Sequence, residues 1–555
     1  MLIDGRTIPA DTVIDTDVCI VGAGAAGISL ARALGGESCR VVLLESGTAW
    51  PRPKTQALYR GRNVGREYFA LDGCRVRTFG GSTQRWGGWC RALDTDDFTA
   101  RPWISESGWP FDRDELDPYY REARKLSQLV VTRGDIDHGP PIPRRPRLAV
   151  PPELQTIMYE FSPPTRFGQA YGGDLARADN VTVYLSSNVV ALDGAAHGAP
   201  VTVAVVRTLE GREWRVRSRV YVLATGGIEN PRILLASRNT RPEGLGNEHD
   251  LVGRYFMEHV HVRLGCFVPA RGDANLSLYV QGRRSVRRPL GALTLTTAER
   301  RARHLYGFSA ALFPPRQRAV ANVLHHQAQL QPPWMMHGVS IARAGVLGFG
   351  LRVIDKLVRT ALEAGSGRVF LHTEPQTTPH ATPVVYEIMG RGEQTPLRDS
   401  RVTILPERDR LGMPIVQLDW RVNPADLRNI RESLEVIGRG LAACGAGRVY
   451  LPDDPDAAWA ERIMGSWHHM GTTRMHPDPR HGVVNADGRM HSAPNVFVTG
   501  SSVFPTGGFA NPTLTIVALA LRMKDTVLKD LRVPVLDTTP PAPPGQVRAL
   551  PTTLS

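Results

Sequence analysis

The run DVCIV at residues 17–21, followed at once by Gly22-Ala23-Gly24-Ala25-Ala26-Gly27, constrains the fold more than any other stretch of the chain. An apolar run this short reads as a strand, and the ISLARAL after the glycines carries good helix formers up to Gly35-Gly36. A second apolar run, Val41-Val42-Leu43-Leu44, ends on Glu45. Strand, tight turn, helix, strand and acid together form a dinucleotide-binding pattern. Glycines let the backbone approach a pyrophosphate at the helix N-terminus, and the acid accepts the ribose hydroxyls. A glycine-rich turn without a ligand would leave Glu45 unexplained. The acid disfavours a 2′-phosphate and hence NADP; NAD and FAD both satisfy the segment.

A chain of 555 residues is too long for one ordinary core, so two or three domains are expected. Its 42% apolar and 22% charged residues suit a globular protein. The net charge of +13 is carried mostly by arginine, with clusters at Arg144-Arg145-Pro146-Arg147, Arg283-Arg284, Arg287-Arg288 and Arg300-Arg301-Ala302-Arg303. These have no interleaved aromatics and match no recognition module, so they read as solvated surface and not as a nucleic-acid site. Six scattered cysteines without a Cys-x-x-Cys pair read as reduced, mostly buried thiols, which with an acidic, non-secretory start points to a cytoplasmic protein. The apolar stretch 338–365, with Arg343, Arg352, Lys356 and Arg359 among its hydrophobes, fits a peripheral flap better than an interfacial helix.

Residues 77–93, RTFGGSTQRWGGWCRAL, place two Gly-Gly pairs around a tryptophan, a composition suited to lying against a flat ligand. GAGAAG with Glu45, GGSTQRWGG, ATGGIENPRILL (224–235), HHMGT (468–472) and GSSVFPTGGFANPTLTIVALALR (500–522) follow the order found in the glucose–methanol–choline (GMC) oxidoreductases. The chain resembles that family from about residue 15 to 530. GWCRALDTDDF and SGWPFDRDELDPYYREA resemble its bacterial branch related to pyranose oxidases and C-glycoside 3-oxidases.

The resemblance implies an α/β protein: a Rossmann-like FAD-binding domain of discontinuous segments, and an α+β substrate domain whose antiparallel sheet is covered by helices. The expected segments are 1–110, 161–257 and 461–536 for the cofactor domain and 258–460 for the substrate domain. Residues 111–160 form a connecting, substrate-side piece, and 537–555 a disordered, Pro-rich tail. The implied cofactor contacts begin with Gly22, Gly24, Ala25, Ala26, Gly27, Glu45 and Ser46, then Gly81, Ser82, Trp86, Gly87 and Gly88. Val189, Ala224, Thr225 and Gly226 follow in the middle of the chain, and Gly500, Ser501, Asn511, Pro512 and Thr513 near its end. Pyranose oxidases carry a flavin-bonding histidine in a Ser-Thr-His-Trp segment. Here Ser82-Thr83-Gln84-Arg85-Trp86 has none, so the FAD is expected to be non-covalent.

Removing a hydride from a carbinol carbon requires taking the hydroxyl proton, a task for a near-neutral histidine beside a donor that holds the same oxygen. The family's pair is a His three residues before Gly-Thr and a His or Asn just before Pro, which fall on His468 and Asn511. Asn511 also reads as an N-cap for the apolar helix after Pro512. His469 should point away from its neighbour, since adjacent side chains of an extended chain alternate. His259 and His261 share one strand face and read as structural, with a metal role set aside because Glu258 and Cys266 fall on the other face. Gln394, beside Glu393, is a substrate contact by loose analogy only.

SRVTILPERDRLGMPIVQLDWRV (400–422) reads as a hairpin walling the substrate cavity, and 423–445 as an Asn-capped, Gly-terminated amphipathic helix. The function expected is oxidation of a hydroxyl of a sugar, glycoside or sugar-like metabolite, with hydride passing to flavin N5 and on to oxygen, a quinone or another acceptor. Two alternatives keep the fold: a lipid-like alcohol substrate at a membrane surface, and a redox-silent FAD-binding subunit.

Overall fold

The computed structural model describes residues 1–129, 145–194, 198–270, 275–280, 289–313, 385–451, 456–532 and 548–549. The strand Thr12–Val21 lies between Val41–Leu44 and Glu213–Leu223, parallel to both. Val181–Leu185 and then Leu2–Asp4 extend the parallel sheet on one side, and Val496–Val498 pairs with the end of Glu213–Leu223. Antiparallel strands Val201–Arg207 and Asn188–Gly194 complete it. Val18, Cys19 and Ile20 are each 0% exposed, as expected of a central parallel strand covered on both faces. One cover is the helix Ala25–Leu34, itself packed against the long helix Thr513–Arg532.

The second sheet is antiparallel and seven-stranded: Gly447–Tyr450, Val260–Pro269, Tyr386–Gly392, Phe308–Phe313, Leu290–Leu295, Leu154–Phe161 and Trp89–Cys90, in that order. The helix Pro424–Ala443 covers it with Ile430, Leu434, Ile437 and Leu441, spaced by four, three and four on one face. Each such burial contributes about 1.5–3 kcal/mol. Asn423 caps this helix and Asp426 returns the bond to its backbone; Cys444 ends it before Gly445 at φ +70°.

Residues 181–194 form two strands, Val181–Leu185 and Asn188–Gly194, separated where Ser186 turns to φ +58°. Several expectations need correction. The hairpin forms as Arg401–Arg408 and Pro414–Asp419, but it pairs with Gly61–Asn63 in a separate three-stranded sheet and does not wall the cavity. Arg300 is not solvated: it is 2% exposed, facing Asp94 at 3.8 Å and Asp96 at 3.6 Å. Within the tail expected to be disordered, Arg548–Ala549 pair with Val13 and Thr12. All six cysteines are free, five buried and Cys444 exposed. Stretch 338–365 and the cluster at 283–288 lie outside the described residues. Among those that are described, no helix is long and apolar enough to cross a membrane.

Candidate active site

The turn after Thr12–Val21 opens a cavity of about 350 Å³ that runs from Gly22 and Glu45 to His468 and Asn511. Gly22 sits at φ +100°, and a Cβ on Gly27 would stand 1.9 Å from the Gly22 carbonyl oxygen. A Cβ on Gly24 would meet nothing within 4 Å, so its backbone faces open space at the start of Ala25–Leu34. The Glu45 carboxylate accepts from the Ala23 N–H at 3.0 Å and the Gly47 N–H at 2.6 Å, which holds it at the cavity wall.

An open glycine turn, a helix N-terminus and a buried acid make one end of the cavity fit the pyrophosphate and ribose of a dinucleotide. Every residue assigned to the cofactor from sequence lines this cavity except Gly27. Gly27 lets helix and turn pack, since a Cβ there would meet the Gly22 carbonyl oxygen.

Tyr59 lines the cavity without any sequence signal, and Arg77 and Glu229 line it from within the stretches 77–93 and 224–235. Burial opposes ionisation of Glu229, yet Arg232, Arg77 and Arg75 together hold its pKa down to about 2. Arg75 in turn lies over the Tyr59 ring, 3.9 Å from its centroid. The segment around Tyr59 looks like ordinary surface until the tertiary fold brings it to the cavity.

At the other end, backbone pairing builds the reactive loop. Met257 bridges to Met470 and His261 to Met464, so the five residues 257–261 stand opposite the seven residues 464–470. The surplus bulges, and Trp467 takes φ +66° at its crest, 45% exposed on the cavity rim. Glu258 anchors the bulge from beneath. Its carboxylate accepts from the backbone N–H groups of Ser466 and His468 at 3.0 Å and from the Tyr68 hydroxyl. Glu258 faces the Tyr68 and His469 side while His259 faces His468, so the alternation across 258–259 separates the two side chains.

The two adjacent histidines then diverge. His468 lines the cavity; its Nδ1 lies 2.8 Å from both His259 Nδ1 and Ser466 Oγ, and its Nε2 3.2 Å from Asn511 Nδ2. Burial, then the neighbouring His259 and Arg391, hold its pKa well below 6.5, so it is neutral at ordinary pH. His469 Nε2 meets the Tyr68 hydroxyl at 2.9 Å while its ring packs against Phe256. Burial and Arg75 push its pKa down to about 3.

Three further site assignments change. Asn511 does not cap its helix: Oδ1 accepts from Arg391 and Nδ2 faces His468, while the helix begins at Thr513. Gln394 is away from the cavity and engaged at both ends. Its Oε1 accepts from the Glu258 N–H and Trp420 Nε1–H at 3.0 Å, and its Nε2 donates to the Arg421 carbonyl at 2.6 Å. His259 and His261 are not merely structural, since His259 touches His468 and His261 Nε2 accepts from Arg391 Nε at 2.8 Å. Among the described residues no group of His, Cys, Asp or Glu is arranged to hold a metal ion.

Residues 396–520, which include His468 and Asn511, match the family described as GMC oxidoreductase. The chain is 27% identical over 563 residues to paromamine 6′-oxidase of Streptomyces fradiae, covering 93% of this chain and 92% of that one. A C-glycoside 3-oxidase of Microbacterium trichothecenolyticum is 34% identical over 131 residues, 22% of this chain and 24% of that one. The crystal structure of pyridoxine 4-oxidase from Mesorbium loti superposes with a TM-score of 0.51 at 17% identity, over 92% of this chain and 98% of that one, and shows the same fold. By its motifs in order, its fold and these matches, the chain is an FAD-dependent enzyme that oxidises alcohols and is similar to the GMC oxidoreductases.

Proposed function

We propose that this enzyme oxidises a hydroxyl of a sugar, glycoside or sugar-like metabolite, with His468 as base and Asn511 as the group that orients the alcohol. The observation that carries this reading is the pairing of His468 Nε2 with Asn511 Nδ2 at 3.2 Å in the cavity wall. A neutral imidazole takes the hydroxyl proton and raises electron density on the oxygen. The Asn511 N–H donates to that same oxygen and holds it in line. Bound FAD supplies the two-electron acceptor. Trp467 and Trp89 on the cavity wall offer apolar faces of the kind that suit a sugar ring. The sugar-like class is supported by the substrates named for the relatives, paromamine and a C-glycoside.

Residues 1–110, 161–257 and 461–536 are proposed as the cofactor domain and 258–460, with the 111–160 connection, as the substrate domain. Trp89–Cys90 and Gly61–Asn63 cross over to join other sheets. FAD is proposed to be non-covalent, since Gln84 and Arg85 stand where a bonding histidine would be needed; yellow colour retained on acid-precipitated protein would refute this. The cytoplasm is the proposed compartment.

The test is anaerobic: D-glucose, methyl glycosides, aloin-type C-glycosides and paromamine are screened for loss of flavin absorbance, and oxygen is then admitted. Bleaching by at least one of them is expected, and bleaching by none would remove the sugar-like reading.

A further inference from the structure

Asn511 and His468 are each ambivalent: an amide presents either a donor or an acceptor, and a neutral imidazole carries its hydrogen on either nitrogen. For the pair to work, His468 Nε2 must be bare and Asn511 must turn its NH2 toward it. We propose that the substrate sheet imposes both choices, His259 setting the tautomer of His468 and Arg391 setting the amide of Asn511. This rests on the base reading above.

The hydrogens can be followed from groups that have no choice. The Gly507 carbonyl only accepts, so His259 Nε2, at 3.2 Å, carries the hydrogen. His259 is neutral, held so by burial and then Arg391, and its Nδ1 is therefore bare. That bare nitrogen lies 2.8 Å from His468 Nδ1, which must donate. Ser466 Oγ agrees: its one hydrogen is drawn to the Glu258 carboxylate at 3.2 Å or the His259 carbonyl at 3.1 Å, leaving a lone pair for His468 Nδ1. With the hydrogen on Nδ1, His468 Nε2 is bare and aimed at Asn511.

From the opposite side, the Arg391 guanidinium has only donors. One of them, Nη1, meets Asn511 Oδ1, so the Asn511 NH2 faces His468. Two independent chains of donors thus agree on one polarity at the 3.2 Å contact.

Arg391 is built for this task. It is 4% exposed, lies over the rings of Trp89 and Tyr159 at 4.8 and 5.2 Å, and forms no ion pair with a carboxylate among the described residues. Its Nε donates to His261, its register partner on the adjacent strand. It does not line the cavity, so it acts through Asn511 as a positioning residue. A purely structural arginine at this depth would be matched to an acid, as Arg101 is to Glu393.

The test uses the FAD-loaded enzyme. In protein labelled with 15N-histidine, the His468 signal, identified by its loss in H468Q, should show hydrogen on Nδ1 and a bare Nε2. H259N, whose amide oxygen can replace the accepting Nδ1, should keep that pattern, and H259L should lose it. Anaerobic flavin reduction by the fastest-reducing compound among D-glucose, the methyl glycosides and paromamine should slow about 10- to 100-fold in R391M, the scale of a hydrogen bond to a charged donor. Substrate affinity should hold, and R391K should recover part of the loss. R391M combined with N511A should be no slower than N511A alone.

Hydrogen on His468 Nε2, an unchanged pattern in H259L, or R391M and N511A effects that multiply would overturn the proposal. Fast reduction by H468A would instead overturn the base reading, and the labelled spectra would still decide the polarity.

Discussion

The two ends of the cavity are made in different ways. At the cofactor end the working atoms are mostly backbone: the turn around Gly24, the start of Ala25–Leu34, and one acid at the end of the next strand. All of it comes from a single stretch of about 30 residues, 17–45. At the reactive end the working atoms are side chains from four separate places: 258–261, 391, 466–469 and 511. His259 and His468 are 209 residues apart in the chain yet 2.8 Å apart in space. A backbone site tolerates changes that spare its φ angles and close approaches. A side-chain site depends on each donor and acceptor in turn.

That contrast can be broken most sharply at His468. His468→Ala should slow anaerobic flavin reduction by about 10²–10⁴-fold while FAD content stays normal; a loss under tenfold would mean that the reactive end does not rest on this side chain. Gly27→Ala should do the reverse. Its Cβ meets the Gly22 oxygen at 1.9 Å, so FAD occupancy and thermal stability should fall, by about 1–3 kcal/mol for overpacking of this kind, with the rate per bound flavin preserved. Measuring flavin per protein and reduction rate separately checks both.

Glu258→Gln tests whether the bulge needs its anchor. A glutamine offers one acceptor oxygen where the carboxylate now serves Ser466, His468 and Tyr68, so donors are left unmatched at about 1–3 kcal/mol. The rate should drop at unchanged FAD content, and no drop would make the loop self-supporting.

The smallest expected effect is on pH. The folded pKa of His469 is about 3 against an ordinary 6.5, so above 6.5 neither folded nor unfolded protein protonates it. Below 6.5 only the unfolded chain takes the proton, and stability is lost as pH falls toward 3. Relative to His469→Phe, the wild type should lose about 1.4 kcal/mol per pH unit in that window. Parallel melting curves for the two proteins from pH 7 to 4 would show that His469 was protonated when folded.

The same contrast explains how much was legible beforehand. The cofactor end follows a local pattern, so its glycines, Glu45 and the flanking elements could be read from neighbours in sequence. His468 and Asn511 were legible only through a family resemblance; their partners were not. Arg391 sits in YEIMGRG, which looks like any strand, and its role depends on Asn511, 120 residues away. Gln394 misled for the same reason: a polar side chain in a loop looks available until Trp420 and the Glu258 backbone are folded onto it. Tyr59 gave no hint because what it lines is assembled only by the tertiary fold.

The two bridges that tie 257–261 to 464–470 carry a lesson for protein engineering. Exchanging the substrate sheet for that of a relative is the obvious route to a new specificity, and its natural cut points fall outside His468 and Asn511. Such a chimera would keep both residues but receive foreign neighbours at positions 258, 259 and 391. Its specificity and its reactivity would change together, so a useful graft has to carry those three positions along with the catalytic loop.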